Sequence, residues 1–359
     1  MQQRRGVGWF TLESVILREN EPLAAYTTFG IGGRARYFAH AKTEADIQEA
    51  VAWAKDHDKP LFVLGGGSNL LVPDEGYEGL VLHVDLRGFE SDKPWSSDFV
   101  VAAGESWDRF VDIAVRSNLA GIECLAGIPG SVGGTPVQNV GAYGQEVSET
   151  IQQVRVFDRE LMEFRQMSNA ECGFRYRESV FNTTARGRYI VVSVQFFLYS
   201  GEPNLSYPEL QKRFEGRWRK PKLKEVAEAV REIRRGKGML IDPSDADSRS
   251  AGSFFKNPIL PETIVASIGQ AVGISESGVP HWPAGDGKVK LPAAWLLERA
   301  GFVKGYGSGP VRISSKHTLA LTNRGGATFA DVEAMQDQIV AGVFEKFGVK
   351  LEREPVVLE

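Results

Sequence analysis

Residues Leu125 to Gln145 read LAGIPGSVGGTPVQNVGAYGQ, and this glycine-rich stretch says more about the fold than any other part of the chain. Gly127, Gly130, Gly133 and Gly134 follow the spacing GxxGxxGG, which is neither a P-loop nor a dinucleotide-binding fingerprint that opens a helix. Glycine is used where backbone must approach a ligand closely or adopt a positive φ. The stretch predicts a backbone-lined binding site, with ordinary turns as the alternative.

A second glycine-rich loop, Gly65-Gly66-Gly67-Ser68-Asn69, follows a short predicted strand from Leu61 to Leu64. Exposed N–H groups in two such loops can cradle a pyrophosphate, and the Ser and Asn side chains add further donors. One loop alone is equally well explained as a turn, because short motifs produce false matches. Two loops in one chain favour the binding site.

The composition excludes several classes of protein. The 359 residues carry a formal net charge of −4, which argues against nucleic acid or a membrane surface as the partner. Cys124 and Cys172 are the two cysteines of the sequence, and neither CxxC nor HExxH occurs, so we expect no metal site. The first twenty residues lack the apolar core of a signal peptide, and no apolar run is long enough to span a bilayer. We therefore expect a cytoplasmic protein without membrane insertion.

Hydrophobic periodicity and capping residues predict three α+β units along the chain. The predicted helices run from Thr43 to His57, from Ser106 to near Gly121, from Lys224 to Arg235, from Pro292 to Gly301 and from Thr328 to Gly348. The predicted strands run from Leu61 to Leu64, Leu80 to Val84, Val100 to Ala103, Val154 to Phe157, Phe164 to Met167, Ile190 to Phe197, Thr318 to Leu321 and Val349 to Leu351. The polar stretch from Asp242 to Arg249 is typical of a linker.

Three more clusters contain side chains that could do chemistry. If Phe174 to Ser179 form a strand, Arg175 and Arg177 share one face, where an arginine suits a substrate carboxylate or an enolate. A solvated strand with an Arg–Glu pair explains that pattern more simply. Ser253 lies among small residues but lacks the GxSxG elbow of serine hydrolases, so its hydroxyl could relay a proton or simply cap a turn. Glu352 and Glu354 would share a strand face, for which solvation is the ordinary explanation.

Taken in order, the motifs resemble those of the UDP-N-acetylenolpyruvoylglucosamine reductase family. The matching blocks are TTFGIGG (27–33), LGGGSNLLV (64–72), GIPGSVGGTPVQNVGAYG (127–144), YRESVF (176–181), AGSFFKNP (251–258) and LERE (351–354). The resemblance implies an α+β fold with a two-part FAD-binding region of the vanillyl-alcohol oxidase type and a C-terminal α+β substrate domain. It places the two FAD-binding subdomains at residues 1–86 and 87–236 and the substrate domain at residues 237–359.

The resemblance also implies the reaction. It is the NADPH-dependent reduction of the enolpyruvyl group of UDP-N-acetylglucosamine enolpyruvate to UDP-N-acetylmuramate through FAD, a step in peptidoglycan precursor synthesis. Residues 127–144 contain neither His nor Cys, so we expect non-covalent FAD, with NADPH as the co-substrate. The expected partner is the UDP-sugar, and we expect a monomer.

Site residues follow from the matching blocks. The resemblance implies that Arg177 and Glu354 stabilise the carboxylate–enolate and that Ser253 protonates the α-carbon. FAD would be bound by Gly65, Gly66, Gly67, Ser68, Asn69, Gly127, Gly130, Ser131, Gly133, Gly134, Asn139, Gly141, Ala142 and Tyr143. Tyr207 resembles the loop tyrosine that closes over UDP in the longer form of the family. Lys237, Asn257 and Lys304 align with residues that contact the nucleotide.

Two other functions remain open from the sequence. One is an FAD-dependent oxidase of the same fold that acts on another small molecule; covalent flavin attachment, common in such oxidases, has no candidate residue at 127–144. The other is a UDP-sugar-binding protein without catalysis, against which the joint presence of Arg177, Ser253 and Glu354 argues. The absorption spectrum of the purified protein discriminates the enzyme from the binding protein.

Overall fold

The computed structural model describes residues 9–12, 15–91 and 96–359, and these divide into two compact units. Unit 1 comprises the residues through Pro22, Arg34–Gly67 and Tyr77–Arg235, and unit 2 comprises Leu23–Gly33, Ser68–Gly76 and Gly236–Glu359. Unit 2 therefore includes two short segments from the region that we assigned to the first FAD-binding subdomain. The division into three domains stays a prediction.

Unit 1 is built from two five-stranded sheets and the helices that cover them. Its helices are α1 (Glu44–Asp56), α2 (Trp107–Arg116), α3 (Pro208–Phe214) and α4 (Leu223–Gly236). Its strands are β1 (Trp9–Thr11), β2 (Ile16–Pro22), β3 (Arg34–Ala41), β4 (Leu61–Leu64), β6 (Tyr77–Val84), β7 (Phe89–Glu90), β8 (Asp98–Ala102), β9 (Gly141–Ala142), β10 (Gln145–Glu146), β11 (Ile151–Asp158), β12 (Glu163–Ser168) and β13 (Tyr189–Phe197). Strand β5 (Leu70–Leu71) lies between β4 and β6 in the chain but belongs to unit 2.

The two sheets of unit 1 differ in strand direction. The first has the order β1-β2-β3-β6-β4, with β3, β6 and β4 parallel, and α1 connects β3 to β4. The second has the order β12-β11-β13-β8-β7 and is antiparallel throughout. One apolar core that includes Ile47, Leu82, Phe110 and Phe196 serves both sheets and their helices. In this unit, Gly65, Gly66 and Gly67 of the first glycine loop follow β4, and the second glycine loop lies after α2.

Unit 2 has smaller sheets and its own apolar core. Its helices are α5 (Ile264–Val272), α6 (Ala293–Arg299) and α7 (Phe329–Phe347), and its remaining strands are β14 (Ile259–Pro261), β15 (Trp282–Pro283), β16 (Lys288–Lys290), β17 (Val311–Ile313), β18 (Leu321–Asn323) and β19 (Val356–Val357). The strands form β14-β16-β15, β17-β18 and a parallel β19-β5 pair. The core contains Phe29, Phe254, Leu296 and Ile339. No helix in the described ranges has the length and apolar character of a membrane span.

Helices with strong local capping signals formed where we predicted them. Thr43 caps α1 and Thr328 caps α7, and in both cases the threonine and the aspartate three residues later bond each other's backbone. Helix α7 ends at Gly348, whose φ of 67° is the left-handed conformation typical of a C-terminal cap. The predictions for the long strands at 61–64, 80–84, 154–157, 164–167 and 190–197 are also confirmed.

Two predicted strands in the last third of the chain are wrong. Residues 317–320 form a turn, in which the Ala320 N–H donates a hydrogen bond to the His317 carbonyl at 3.1 Å. Strand β18 therefore begins at Leu321, where the predicted strand was expected to end. Residues 349–351 form no strand, although Val349 and Leu351 are buried. The terminal pairing occurs further along the chain, at β19.

Three other predictions also need correction. Helix α2 ends at Arg116 instead of near Gly121, because the chain turns at Asn118, which has a φ of 57°. The segment 174–179 is a tight turn rather than a strand: Arg175 and Glu178 exchange backbone hydrogen bonds of 2.9 and 3.1 Å. The polar stretch 242–249 is not a free linker, since its buried Asp247 accepts hydrogen bonds from Ser315 and Arg324.

Candidate active site

The two glycine-rich loops of the sequence analysis meet in unit 1. A Cβ atom added to Gly66 would lie 2.6 Å from the Cα of Gly130, and one added to Gly65 would lie 2.9 Å from the Ser131 hydroxyl oxygen. A contact of 2.6 Å between carbon atoms is impossible without moving the backbone, so Gly66 is required for this approach. The residues are far apart in the sequence, but the fold brings the two loops into contact.

Backbone donors are available where the loops touch. Within the described part of the chain, the N–H groups of Gly66, Gly67, Gly130 and Ser131 have no acceptor in the protein. The N–H groups of Gly133 and Gly134, by contrast, donate to the carbonyls of Ala103 and Ser131. A cluster of unengaged N–H groups is the donor set that an anionic group such as a pyrophosphate requires. The unengaged N–H groups therefore fit such a ligand. The N–H groups of Gly133 and Gly134 instead form hydrogen bonds within the protein.

Gly127, at the start of the second loop, is held from both sides of its backbone. Its N–H donates to the Asp108 carboxylate of α2 at 2.6 Å, and its carbonyl accepts from Arg234 Nε of α4 at 2.9 Å. The same Asp108 oxygen accepts from Arg231 at 2.7 Å. Gly127 was predicted to bind the cofactor, but both of its backbone hydrogen-bonding groups are engaged inside the protein.

Asn139 connects the second glycine loop to the turn that carries Arg177. Its side-chain NH₂ donates to the Arg175 carbonyl at 3.0 Å and to Glu146 at 2.8 Å, and its side-chain oxygen accepts from the Ser148 N–H at 3.1 Å. Asn139 itself is buried with a φ of 45°. Its side chain is thus committed to holding the loop and the turn together.

Arg177 occupies a constrained position. Its φ is 60°, which is uncommon for any residue other than glycine and is found mostly in turns and at functional sites. The Asn182 side chain donates to its carbonyl at 3.0 Å, and the Ser179 hydroxyl anchors the turn to the Val137 carbonyl at 2.6 Å. A Cβ on Gly141 would lie 3.3 Å from Arg177 Nη1, so the guanidinium lies beside Gly141 of the glycine loop. Two predicted site residues are therefore neighbours.

Tyr143 and Tyr207 are also neighbours in unit 1. Their rings meet edge to face with centroids 5.3 Å apart. Burial raises the pKa of Tyr143 to about 12 and also raises the pKa of Tyr207, so both hydroxyls are neutral at pH 7. The chain before Tyr207 is docked on Gly144: the Asn204 side chain donates to the Gly144 carbonyl at 2.9 Å, and a Cβ on Gly144 would lie 2.3 Å from the Ser206 hydroxyl oxygen.

In unit 2 the structure brings Ser253 and Glu354 to adjacent positions of one backbone ladder. The Phe254 N–H donates to the Leu319 carbonyl at 2.7 Å, and the Glu354 N–H donates to the Phe254 carbonyl at 2.9 Å. Phe255 and Arg353 form an antiparallel bridge beside them. Ser253 and Glu354 are both partly exposed, which leaves their side chains accessible to a small molecule.

Other predicted residues of unit 2 have local structural contacts. Asn69 donates from its side chain to the Glu354 carbonyl at 3.3 Å. Asn257 accepts the Ala293 N–H at 2.9 Å and so caps the first turn of α6. Lys237 is partly exposed just after α4, and Lys304 is exposed in the segment after α6. Among the described residues, no group of three or more His, Cys, Asp or Glu side chains could hold a metal ion.

Comparison with known proteins decides the family. Residues 242–358 match the family model described as UDP-N-acetylenolpyruvoylglucosamine reductase, C-terminal domain, and residues 35–160 match that of an FAD binding domain. The chain is 48% identical over 356 residues to the UDP-N-acetylenolpyruvoylglucosamine reductase of Streptomyces coelicolor, covering 97% of this chain and 92% of that one. The chain belongs to the UDP-N-acetylenolpyruvoylglucosamine reductase family.

Further relatives agree with this assignment to the reductase family. The Thermobifida fusca protein of the same name is 49% identical over 354 residues, covering 94% of this chain and 97% of that one. The crystal structure of the Thermus caldophilus UDP-N-acetylenolpyruvylglucosamine reductase superimposes with a TM-score of 0.65 at 26% identity, covering 99% of this chain and 100% of that one.

Several predictions made from the sequence are thereby confirmed. They are the reductase family, the α+β fold with an FAD-binding region and a C-terminal domain, FAD as the cofactor, and an FAD-dependent oxidoreductase. The donor cluster at Gly66, Gly67, Gly130 and Ser131 fits the pyrophosphate of FAD.

Sequence reasoning missed Arg234 and Asp108, which hold the backbone of Gly127 at the start of the second glycine loop. Arg234 is buried although arginine is seldom buried without a partner. The signal was available, because Val226, Val230 and Arg234 follow a spacing of four residues and so share one face of α4. An arginine on the same helix face as buried valines indicates a buried ion pair or a hydrogen bond to the backbone. Here Arg234 donates a hydrogen bond to the Gly127 carbonyl.

Proposed function

We propose that this protein reduces the enolpyruvyl group of UDP-N-acetylglucosamine enolpyruvate to give UDP-N-acetylmuramate, with FAD as cofactor and NADPH as the source of hydride. The observation that carries the proposal is the meeting of the two glycine loops, with unengaged N–H groups at Gly66, Gly67, Gly130 and Ser131. Family membership supports the substrate, since the relatives at 48% and 49% identity carry this reductase's name.

FAD, when bound, supplies a carrier that accepts hydride from NADPH and gives it to a second substrate. The residues proposed to hold it by backbone are Gly65, Gly66, Gly67, Gly130, Ser131, Gly141 and Ala142, with Ser68, Asn69 and Tyr143 contributing side chains. Gly127, Gly133, Gly134 and Asn139 are proposed to shape the same loop, because their hydrogen bonds lie within the protein. Non-covalent attachment is supported by the lack of His and Cys at 127–144.

Arg177 is proposed to bind the substrate carboxylate and to stabilise the charge that develops on it. The planar guanidinium can pair with a carboxylate through two hydrogen bonds. Its turn is anchored to the glycine loop by Asn139 and Ser179, so the cation is fixed before the substrate arrives. A fixed group aimed at developing charge typically contributes about 10²–10³ in rate. The φ of 60° at Arg177 supports a functional position, because such backbone strain concentrates at active sites.

Ser253 is proposed to donate a proton to the α-carbon. Glu354, with its carboxyl group protonated, is proposed to help Arg177 stabilise the enolate. A serine hydroxyl is a weak acid, so it can protonate only a strongly basic carbon such as that of an enolate. The ladder that joins Phe254 to Glu354 fixes the backbone directly after Ser253. A positioned proton donor contributes about 10²–10⁴ in rate.

Tyr207, Lys237, Asn257 and Lys304 are proposed to bind the nucleotide part of the substrate. Tyr207 is supported by its position, since it directly precedes α3 on the segment between Gly201 and Pro221 and contacts Tyr143. The two lysines would face a diphosphate or a uracil. The side-chain oxygen of Asn257 caps α6, which leaves its amide NH₂ for a ligand.

Four further features of this protein stay predictions. They are NADPH as the reductant, a monomeric state, the absence of a nucleic-acid partner and a cytoplasmic location.

A spectrum and two half-reactions test the proposal. The purified protein should be yellow and should release all of its FAD into the supernatant on denaturation. NADPH should bleach the flavin, and UDP-N-acetylglucosamine enolpyruvate added without oxygen should restore the absorbance. A colourless protein that takes up no FAD would contradict the proposal. Flavin that stays with the precipitate, or that is reoxidised by oxygen but not by the enolpyruvyl substrate, would favour an oxidase.

A further inference from the structure

We infer that Arg234 is a positioning residue of the flavin site, which holds both ends of the second glycine loop through the Gly127 carbonyl and the Tyr143 hydroxyl. This inference deepens the proposed function and rests on FAD being bound by that loop. Arg234 was not among the site residues predicted from the sequence. We define the loop from Gly127 to Gly144 as the flavin loop.

The start of the flavin loop is fixed by charged side chains of two helices. Arg234 Nε donates to the Gly127 carbonyl at 2.9 Å, while Asp108 accepts the Gly127 N–H at 2.6 Å. Arg231, one turn before Arg234 on α4, donates to Asp108 at 2.7 Å and to Asp112 at 2.6 Å. The peptide groups on both sides of Gly127 are therefore held by charge-assisted hydrogen bonds, which are the stronger kind.

The end of the flavin loop is fixed by the same arginine. The Arg234 guanidinium also hydrogen-bonds the Tyr143 hydroxyl. Arginine can only donate, so the tyrosine oxygen is the acceptor. Burial raises the pKa of Tyr143 to about 12, against the attraction of Arg234, so the hydroxyl proton is present at neutral pH. Arg234 thereby orients a neutral hydroxyl donor at a residue that we place near FAD.

The geometry requires an arginine. The planar guanidinium carries five N–H donors in a fixed arrangement, so one side chain can bond a carbonyl with Nε and a hydroxyl with another nitrogen. A lysine at the same place would keep the charge but would supply one nitrogen instead of three. Ordering a flexible loop when a ligand binds costs entropy. A loop that is already fixed avoids this cost and binds its ligand more tightly.

The chain offers a matched control for the test. Arg235 is the next residue of α4 and is exposed, whereas Arg234 is buried. Full-length wild type, Arg234→Met, Arg234→Lys and Arg235→Met would be freed of FAD, and the dissociation constant for FAD would be measured by the quenching of flavin fluorescence. The unfolding midpoint of each FAD-free protein would be measured alongside it.

We expect Arg234→Met to raise the FAD dissociation constant by about 10- to 100-fold, the range for losing a hydrogen bond from a charged group. Arg234→Lys should retain the wild-type unfolding midpoint yet still bind FAD at least several-fold more weakly. Arg235→Met should match the wild type in both measurements.

A second measurement separates positioning from general destabilisation. In a double-mutant cycle, Tyr143→Phe should weaken FAD binding in the wild type but have much less effect in Arg234→Lys, because the two groups act through one hydrogen bond. Independent effects in the cycle, or wild-type FAD affinity in both Arg234 variants, would overturn the inference. A wild-type protein that binds no FAD would instead overturn the proposed function, so the two failures are distinguishable.

Discussion

The two units hold their predicted site residues by different means. In unit 1, side chains fix the backbone: Asn139 bonds the Arg175 carbonyl, Ser179 bonds the Val137 carbonyl and Arg234 bonds the Gly127 carbonyl. In unit 2, the chain next to Ser253 is held by backbone groups, through the hydrogen bonds of Phe254 with Leu319 and Glu354.

This difference predicts how each unit responds to substitution. The unit 1 site depends on particular side chains, so one substitution changes both structure and function. The unit 2 ladder uses backbone N–H and C=O groups, which every residue except proline provides in full. The Ser253 side chain can therefore be removed with little effect on the local structure.

The largest effect that tests this comparison is expected for Ser253→Ala. Removing the hydroxyl should slow reoxidation of the reduced flavin by the enolpyruvyl substrate by about 10²–10⁴, the range for losing a positioned proton donor. Reduction of the flavin by NADPH should keep a near-native rate, because no substrate carbanion forms in that half-reaction. Stopped-flow absorbance follows both steps separately.

The control for that experiment is Ser267→Ala, which removes an exposed hydroxyl on α5. FAD content and the unfolding midpoint should be unchanged in both variants, since the ladder at Phe254 contains no serine side chain. Equal slowing of both half-reactions in Ser253→Ala would mean that Ser253 shapes the flavin site. The assignment as proton donor, and the contrast between the units, would then both be wrong.

Unit 1 should respond to a change as small as one methyl group. Gly66→Ala places a Cβ 2.6 Å from the Gly130 Cα, and overpacking of this kind typically costs about 1–3 kcal/mol. We expect the FAD dissociation constant to rise by about 5- to 150-fold, because each 1.4 kcal/mol corresponds to a factor of ten. Flavin fluorescence quenching in the FAD-free protein measures it.

Gly134→Ala is the matched control for Gly66→Ala. The nearest atom to its added Cβ is the Ser131 hydroxyl oxygen at 3.9 Å, an ordinary contact, so FAD affinity should change little. Weakening of the same size in both variants would show that any substitution in the loops is harmful. The close approach of Gly66 to Gly130 would then not be the cause.

The smallest effect is expected at the periphery of unit 1. Tyr207→Phe removes a hydroxyl that is neutral and able to donate, and a net hydrogen bond contributes about 0.5–1.5 kcal/mol. We expect the KM for the UDP-sugar to rise by about 2- to 12-fold, with little change in the rate of hydride transfer in a single turnover. Tyr199→Phe, at an exposed tyrosine, is the control. A slower hydride transfer at unchanged KM would make Tyr207 a catalytic group.

Features determined by neighbouring residues could be predicted from the sequence. Thr43 and Thr328 each have an aspartate three residues later, and both helices begin there. The glycine loops were predicted for the same reason, since their composition alone indicates backbone contact with a ligand. The predicted strand at 318–321 was displaced, because apolar character does not specify which residue finds a hydrogen-bonding partner.

The site was harder to predict where its residues depend on distant partners. Nothing in the sequence around Arg177 indicates a φ of 60°, since that conformation is imposed by bonds to Asn182 and by the anchored turn. Nothing in the sequence around Gly127 indicates that Asp108 and Arg234 bond its backbone. A sequence motif marks the loop, but only the fold shows which of its N–H groups remain unengaged.

The parallel pair of β5 and β19 has a consequence for how the chain folds during its synthesis. Leu70 pairs with Val356 and Leu71 with Val357, so β5 acquires its partner only after nearly 290 further residues have been synthesised. At usual rates of translation that delay is on the order of tens of seconds. Leu70 and Leu71, which are buried in the folded protein, therefore present an unpaired apolar edge until residues 356 and 357 have been synthesised. A chain truncated before residue 356 would keep that edge permanently, which makes it a natural site for chaperone binding or aggregation.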